Sequence, residues 1–390
     1  MPIDRAPIRH GWVETSNGRI VDLGEGVPVG PSVDLGDVAL LPGLVNAHTH
    51  IELSYLHHRV PAAEQFVDWI RGVVAMRRQH GDASEPAILM AARQAIADAA
   101  RFGTALVGDI SNTLLTPALL CESSMHGVVF DEIIRFNSGD AAAVVADACR
   151  AIDAVPQTPD VRVSLAAHAP YSVAPSVFRE IVHAAGRRGM PISVHLSESR
   201  AESEFIREGT GPWRQFLDDV GAWNPEWTPP GTTPVAYLDS LGFLGPQSLV
   251  VHGVQMSGDD LARLCQRHAT LVTSPRSNLH TGAGTPPVAA FYASGVRVAV
   301  GTDSLASTED MNVFSELATL RRLAPGVAAS RLLESATRSG ADALGFEADY
   351  GTLTRGKRAR ILAVSLPGAL TDVEEYLVGG IEPAQLHWVE

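Results

Sequence analysis

Residues 43–50 read Gly43-Leu44-Val45-Asn46-Ala47-His48-Thr49-His50, a short apolar run that ends in two histidines separated by one residue. An extended chain repeats every two residues, so both imidazoles leave the strand end on the same side, as a chelate for one metal requires. Taken alone, the pair also fits two hydrogen-bonded core histidines, and recurrence decides between the readings. Seven more apolar runs follow: TALVGDI ending at Ile110, GVVFDEI at Ile133, VRVSLAAHA at Ala169, PISVHLSE at Glu198, SLVVHGV at Val254, ATLVTSP at Pro275 and VRVAVGTDS at Ser304. Histidine or aspartate stands at the end of several of them: His195 on the fifth run, His252 on the sixth and Asp303 on the eighth.

Short apolar runs alternating with helical patterns are the signature of βα units and a parallel sheet, and eight of them point to a closed (β/α)8 TIM barrel of the α/β class. Residues 44–349 form this predicted barrel. Residues 1–43 and 350–390 read as short strands with glycine turns, too few to enclose a core alone, and are expected to pair into a small composite β-sandwich domain. Two connections exceed one helix plus loops. One follows His50 and carries an extra apolar helix over 66–76 before an alanine-rich helix over 86–101; the other, GTGPWRQFLDDVGAWNPEWTPPGTTP (209–234), reads as an ordered lid or pocket wall. Both overhang the C-terminal face, where barrel enzymes work.

A barrel interior is normally filled by branched apolar residues, so placing four histidines and a carboxylate at its rim without a purpose is costly. Imidazole nitrogens with a carboxylate suit one divalent ion, zinc by default with iron or manganese as alternatives. His48, His50, His195 and Asp303 are the expected ligands, leaving a position for a water whose pKa falls towards about 7. His252 either ligates the ion or orients that water from behind the ligands; the second role is preferred because the first four already complete a site. Glu198, three residues after His195, is the expected proton shuttle, with a pKa raised by a dry pocket. Glu202 and Glu204 are expected to be solvated residues of the following helix. The expected catalytic set is Glu198, His252 and Asp303.

Asp plus Glu number 44 against 30 Lys plus Arg, a net charge of −14 that disfavours nucleic acid and anionic membranes as partners. With 45% hydrophobic and 19% charged residues the chain has ample material for a core. No run reaches eighteen uncharged apolar residues and the N-terminus has no secretory pattern, so a cytoplasmic protein with a small-molecule substrate is expected, with a homo-oligomer left open. Cys121, Cys149 and Cys265 lack metal-type spacing and read as buried thiols. All basic residues but Lys357 are arginines, which excludes a binuclear centre bridged by a carboxylated lysine on the fourth strand.

The segments LLPGLVNAHTH, SVHLSE, VVHG and VGTDS resemble the metal-dependent amidohydrolase superfamily over nearly the whole chain. The HxxE of His195 and Glu198, without a fourth-strand lysine, is similar to its mononuclear deaminases of aminated purine and pyrimidine rings. HTHIELSYL followed by FVDWI, AAHAPYSV, SPRSNLH and GTDSLAS narrow the resemblance to the aminodeoxyfutalosine deaminases, although SPRSN stands where CPRSN is commoner. That resemblance implies hydrolysis of 6-amino-6-deoxyfutalosine to futalosine and ammonia, a step of menaquinone biosynthesis. Alternatives are adenosine or S-adenosylhomocysteine-type deamination, a chlorohydrolase or cyclic amide hydrolase of the same superfamily, and a catalytically silent ligand-binding barrel. By position, Glu52 is expected on ribose hydroxyls, His168 and His280 on the substrate at the rim, and Arg276 on the substrate carboxylate, which a planar guanidinium fork matches.

Overall fold

The computed structural model describes residues 1–80, 82–368 and 370–389. Two strands, β1 (Gly11–Ser16) and β2 (Arg19–Glu25), form an antiparallel ribbon, and β3 (Val38–Pro42) leads into the barrel. Eight parallel strands then follow one another round a single sheet in chain order: β4 (Leu44–Thr49), β5 (Thr104–Ser111), β6 (His126–Ile133), β7 (Val161–Ala167), β8 (Ile192–Leu196), β9 (Ser248–His252), β10 (Thr270–Thr273) and β11 (Arg297–Val300). These are the eight runs read from the sequence. Most of their positions are apolar on both faces because helices cover the outside and other strands the inside.

The last strand returns to the first through side chains as well as backbone. Asn46 Nδ2 donates to Thr302 Oγ1 at 2.7 Å, Thr302 N to Asn46 Oδ1 at 3.0 Å, and Asp303 N to the His48 carbonyl at 3.0 Å. Gly301 makes this seam possible: a Cβ there would lie 2.7 Å from both the Cβ and the carbonyl oxygen of His48.

Inside the barrel pack Val45, Ala47, Leu106, Phe130, Leu249, Val251, Val272 and Ala299, with Leu344 and Phe346 of the chain after β11 joining them. Strict alternation would send Ala47 and His48 to opposite faces. Instead the β4–β5 register slips between Asn46 and Thr49, an irregularity that lets Ala47 lie in the interior while His48 and His50 also turn inward above it.

β12 (Ile361–Ser365) pairs antiparallel with β3 on one side and β13 (Leu386–Val389) on the other. Ile20, Leu353 and Ile361 form a small cluster joining the two termini, whereas Leu41, Leu362 and Val364 belong to the main core. We propose 1–43 with 350–390 as a composite unit; it encloses that small cluster, and its strands β3 and β12 also contribute to the main core.

The long connections are ordered. The helix Phe66–Arg77 buries Phe66, Val67, Trp69 and Val73, and Trp213 of the second connection stacks on Tyr171 at 3.6 Å between ring centroids. The thiols differ from expectation: Cys121, at the end of its short helix, is exposed, and Cys149 and Cys265 are half-buried, packed at the margin of the core. No helix of the described residues is long and apolar enough to cross a membrane.

Candidate metal and catalytic site

β4, β8, β9 and the turn after β11 bring four imidazoles and a carboxylate to one point at the C-terminal rim. The ring centroids of His48 and His50 are 5.0 Å apart, those of His48 and His195 5.0 Å, and those of His48 and His252 5.7 Å. Asp303 Oδ1 lies 3.6 Å from His48 Nε2 and 3.5 Å from His50 Nε2. Donor atoms of His48, His50 and His195 fall within 4.8 Å of one another, as do those of His48, His252 and Asp303.

These residues fit a divalent cation. His48 Nε2 is buried without a hydrogen-bond partner, which costs about 1–3 kcal/mol in a dry interior unless a ligand meets it. Burial pushes His50 and His252 down to about 3 and His195 well below its ordinary value, so each offers a lone pair with no proton to displace. Burial opposes ionisation of Asp303, but the adjacent imidazoles of His48, His50 and His252 hold it well below the usual carboxylate range. Ser277 Oγ donates to Asp303 Oδ2 at 2.5 Å and Ser304 N to Oδ1 at 2.8 Å, which locks its rotamer.

His195 Nδ1 sits 2.9 Å from the His168 carbonyl, so this nitrogen is the donor and Nε2 is left to offer its lone pair to an ion, the usual way a ligand histidine is oriented. The same contact removes His195 Nδ1 from the other donor cluster, Glu132, His168 and His195. Lys357, meanwhile, donates to the Tyr350 carbonyl at 2.8 Å, in the chain beyond the barrel strands. Both observations favour one ion.

Three residues with side chains adopt left-handed backbone angles at strand ends: Ser197 (φ 53°), His252 (φ 79°) and Asp303 (φ 62°). Each costs about 1–3 kcal/mol, and such strain is characteristic of residues whose direction matters more than their stability. The first is held by Glu202. Expected in solvent, Glu202 is instead fully buried, its carboxylate accepting Ser197 N at 2.8 Å and Glu198 N at 2.9 Å. Helix-forming residues after Ser199 swing it back under the turn, where burial raises it to about 7 against the pull of those amides.

The turn directs Glu198 inward, its Oε1 3.5 Å from His252 Nε2. Burial, then Asp303 and Glu202, push the Glu198 carboxyl well above its ordinary value, which favours its protonated form. On the far side of His252, the Asn278 amide meets Nδ1 at 2.9 Å and fixes the ring.

The substrate contacts read from the sequence divide. His168 stands at the site, its ring 5.1 Å from that of His195 and its Nδ1 2.6 Å from Ser172 Oγ. Glu52 does not present itself to a ribose: its carboxylate accepts from Ser111 Oγ, Asn112 N, and both N and Oγ1 of Thr113, bracing the loop after β5. Arg276 is likewise committed, to Glu316 at 2.6 Å and Asp310 at 2.8 Å, and has no fork left for a carboxylate. His280 turns to the Val60 carbonyl at 3.4 Å, away from the ligands.

Three residues that the sequence reading passed over belong here. Ser277 and Asn278, beside Arg276 in the same SPRSN segment, hold Asp303 and His252. Glu132, at the end of β6, has Oε1 3.5 Å from His195 Nδ1 while Asn112 Nδ2 donates to Oε2 at 2.8 Å; burial lifts it to about 7. The available signals were a strand-end position for Glu132 and, for Ser277 and Asn278, a place in the first turns of the helix that follows β10.

An eight-stranded barrel with a histidine-aspartate centre at its C-terminal rim defines a metal-dependent hydrolase. The chain belongs to the amidohydrolase family, whose model matches residues 39–383. It is 34% identical to the aminodeoxyfutalosine deaminase of Deinococcus radiodurans, over 82% of this chain and 76% of that one. It is 26% identical to the 5-methylthioadenosine/S-adenosylhomocysteine deaminase of Moorella thermoacetica, over 94% and 84%. Among solved structures, an adenosine deaminase from Xanthomonas campestris with bound zinc superposes with a TM-score of 0.83 and 27% identity, covering 99% of this chain and 88% of that one. Family and site together make the protein a hydrolytic deaminase in class.

Proposed function

We propose that the protein deaminates an adenine nucleoside, releasing ammonia and leaving a carbonyl at the purine 6-position, with 6-amino-6-deoxyfutalosine as its substrate. The observation that carries the reading is Glu198: a buried carboxyl whose surroundings favour its protonated form, three residues beyond His195 and 3.5 Å from His252. The resemblance to the Deinococcus radiodurans enzyme supports the particular substrate, which would place the reaction on a route to menaquinone.

A divalent ion bound by His48, His50, His195 and Asp303 would supply an acidified water. Glu198 donates its proton to the ring nitrogen next to the amine-bearing carbon, which makes that carbon electrophilic as the water oxygen adds to it. Neutral His252, gripped by Asn278, orients the oxygen on the opposite side. Asp303, ionised and fixed by Ser277, accepts a proton from the adding water and can return it to the amine, which leaves as ammonia. The carbon–nitrogen bond breaks, the added oxygen gives its remaining proton to Glu198 as the carbonyl forms, and one water is consumed.

The test is ammonia release from 6-amino-6-deoxyfutalosine, adenosine, 5-methylthioadenosine and S-adenosylhomocysteine by metal-replete protein. The reading predicts the highest kcat/KM on the first compound. A preference for the last two would move the protein to the methylthioadenosine type, which the Moorella thermoacetica resemblance supports, and no release from any would remove nucleoside deamination.

A further inference from the structure

Arg276 has no part in the proposed chemistry, yet every nitrogen of its guanidinium group is bound. Nε donates to Glu316 Oε1 at 2.6 Å, Nη1 to Asp310 Oδ1 at 2.8 Å, and Nη2 to the carbonyls of Asp310 at 2.9 Å and Asn312 at 3.4 Å. The second oxygen of Glu316, a side chain with no exposure to solvent, accepts the backbone N–H of Arg276 at 3.2 Å.

This cluster lies outside the metal ligands and next to the residues that hold them. Arg276 belongs to the helix Pro275–His280, whose six residues are too few to keep a helical shape unaided. Its N-cap residue, Ser274, makes no side-chain cap bond, and Ser274 Oγ is buried without a partner among the described residues. Glu316 comes from a different helix, Val313–Leu323, and takes over that duty on Arg276 N. Asp310 and Asn312 end the segment that leaves the barrel at Asp303. One side chain thus joins the short helix to both pieces of chain, and a planar fork with several partners admits one orientation. The next two residues of the short helix are Ser277 and Asn278, which meet Asp303 Oδ2 at 2.5 Å and His252 Nδ1 at 2.9 Å. A shift of this helix by about 1 Å breaks both contacts, and misplacement on that scale can cost on the order of 100-fold in rate.

We propose that Arg276 is a positioning residue: by fixing the helix Pro275–His280 against Glu316 and Asp310, it sets Ser277 on Asp303 and Asn278 on His252. Its kinetic test rests on the reading of the site as an adenine nucleoside deaminase; its spectroscopic test does not.

The kinetic experiment places Arg276→Lys, which keeps the charge and loses the fork, in the wild-type protein and in a Ser277→Ala/Asn278→Ala background, with 6-amino-6-deoxyfutalosine and 5-methylthioadenosine as substrates. In the wild-type background kcat is expected to fall about 10- to 100-fold on both compounds, with KM within about twofold. In the double-alanine background the same substitution is expected to cost less than about twofold, because the contacts through which it acts are gone. Equal losses in the two backgrounds, an unchanged kcat, or a KM that rises only for the carboxylate-bearing first compound overturn the proposal. The spectroscopic experiment puts cobalt(II) in the site and reads its coordination from its visible absorption. Arg276→Lys and Glu316→Gln, which leaves one acceptor where two are used, are expected to change that spectrum and to weaken cobalt binding about tenfold in a chelator titration. A wild-type spectrum with wild-type affinity in these variants overturns the proposal. Glu316→Gln also carries the kinetic comparison if Arg276→Lys fails to fold. If the wild-type protein releases ammonia from neither compound, the deaminase reading fails and the cobalt experiment alone decides.

Discussion

In the proposed mechanism Glu198 acts as a proton donor, and the surroundings that favour its protonated form come from burial and from Asp303 and Glu202. Glu198→Gln removes the transferable proton while preserving size, so turnover is expected to fall by about 10²- to 10⁴-fold with metal content intact, measured by steady-state kinetics beside metal analysis of the same preparation. Asn278 acts one contact further out. Asn278→Ala frees the His252 ring that it holds at 2.9 Å, and should lower kcat about 10- to 100-fold with little change in thermal stability. Kinetics at the wild-type level would assign His252 orientation to other contacts. The histidines, Asp303 and Glu198 were legible in the sequence because metal and proton chemistry admit few residue types and their places at strand ends recur. Arg276, Glu52 and Glu202 were not, because a charged residue reads the same whether it faces substrate or a partner. Arg276's partner Glu316 is 40 residues away and Glu202's partners are backbone amides.

At the level of elements, the eight strands were legible from their apolar runs, yet the feature that aims the first one was not. The slip between Asn46 and Thr49 in the β4–β5 pairing is a local departure from the alternation on which strand reading rests. Two glycines permit it: a Cβ at Gly108 would lie 2.5 Å from the Ala47 carbonyl, and one at Gly301 would lie 2.7 Å from that of His48. Neither needs a left-handed backbone, so close approach alone demands glycine here. Gly301→Ala is therefore expected to force β11 away from β4, costing about 1–3 kcal/mol by overpacking and weakening metal affinity about tenfold or more, read from denaturant unfolding and a competitive chelator titration. Wild-type values in both would show that the seam has slack. The wall built by the tryptophan-rich connection was legible as ordered, though its stack of Trp213 on Tyr171 joins segments too far apart in the chain to be paired by pattern.

For the whole molecule, burying many ionisable groups around one site gives stability a pH dependence with a definite sign. Burial raises Glu202 and Glu316 to about 7 and Asp109 to about 8, all above their ordinary carboxylate values. A group whose folded pKa exceeds its unfolded one contributes stability that is full at low pH and lost as pH rises through the folded value. The buried histidines act the other way, but only below about pH 6.5, where the unfolded chain takes up their protons. Above pH 7 the carboxylates are left to act, so the unfolding temperature of the metal-free protein should fall between pH 7 and pH 8.5; calorimetry showing a rise would contradict these protonation states. The barrel, its chain order and the flanking strands were legible at this scale. The sharing of one core between the barrel and β3 and β12 was not, since composition does not say which apolar face meets which.

The central claim is that a single ion held by His48, His50, His195 and Asp303 supports deamination of an adenine nucleoside. Its most direct test is ammonia release from 6-amino-6-deoxyfutalosine by protein stripped with a chelator and then titrated with zinc. The account predicts background release from the stripped protein and full recovery at one equivalent per chain. Release that survives stripping, or recovery that requires two equivalents, would contradict it.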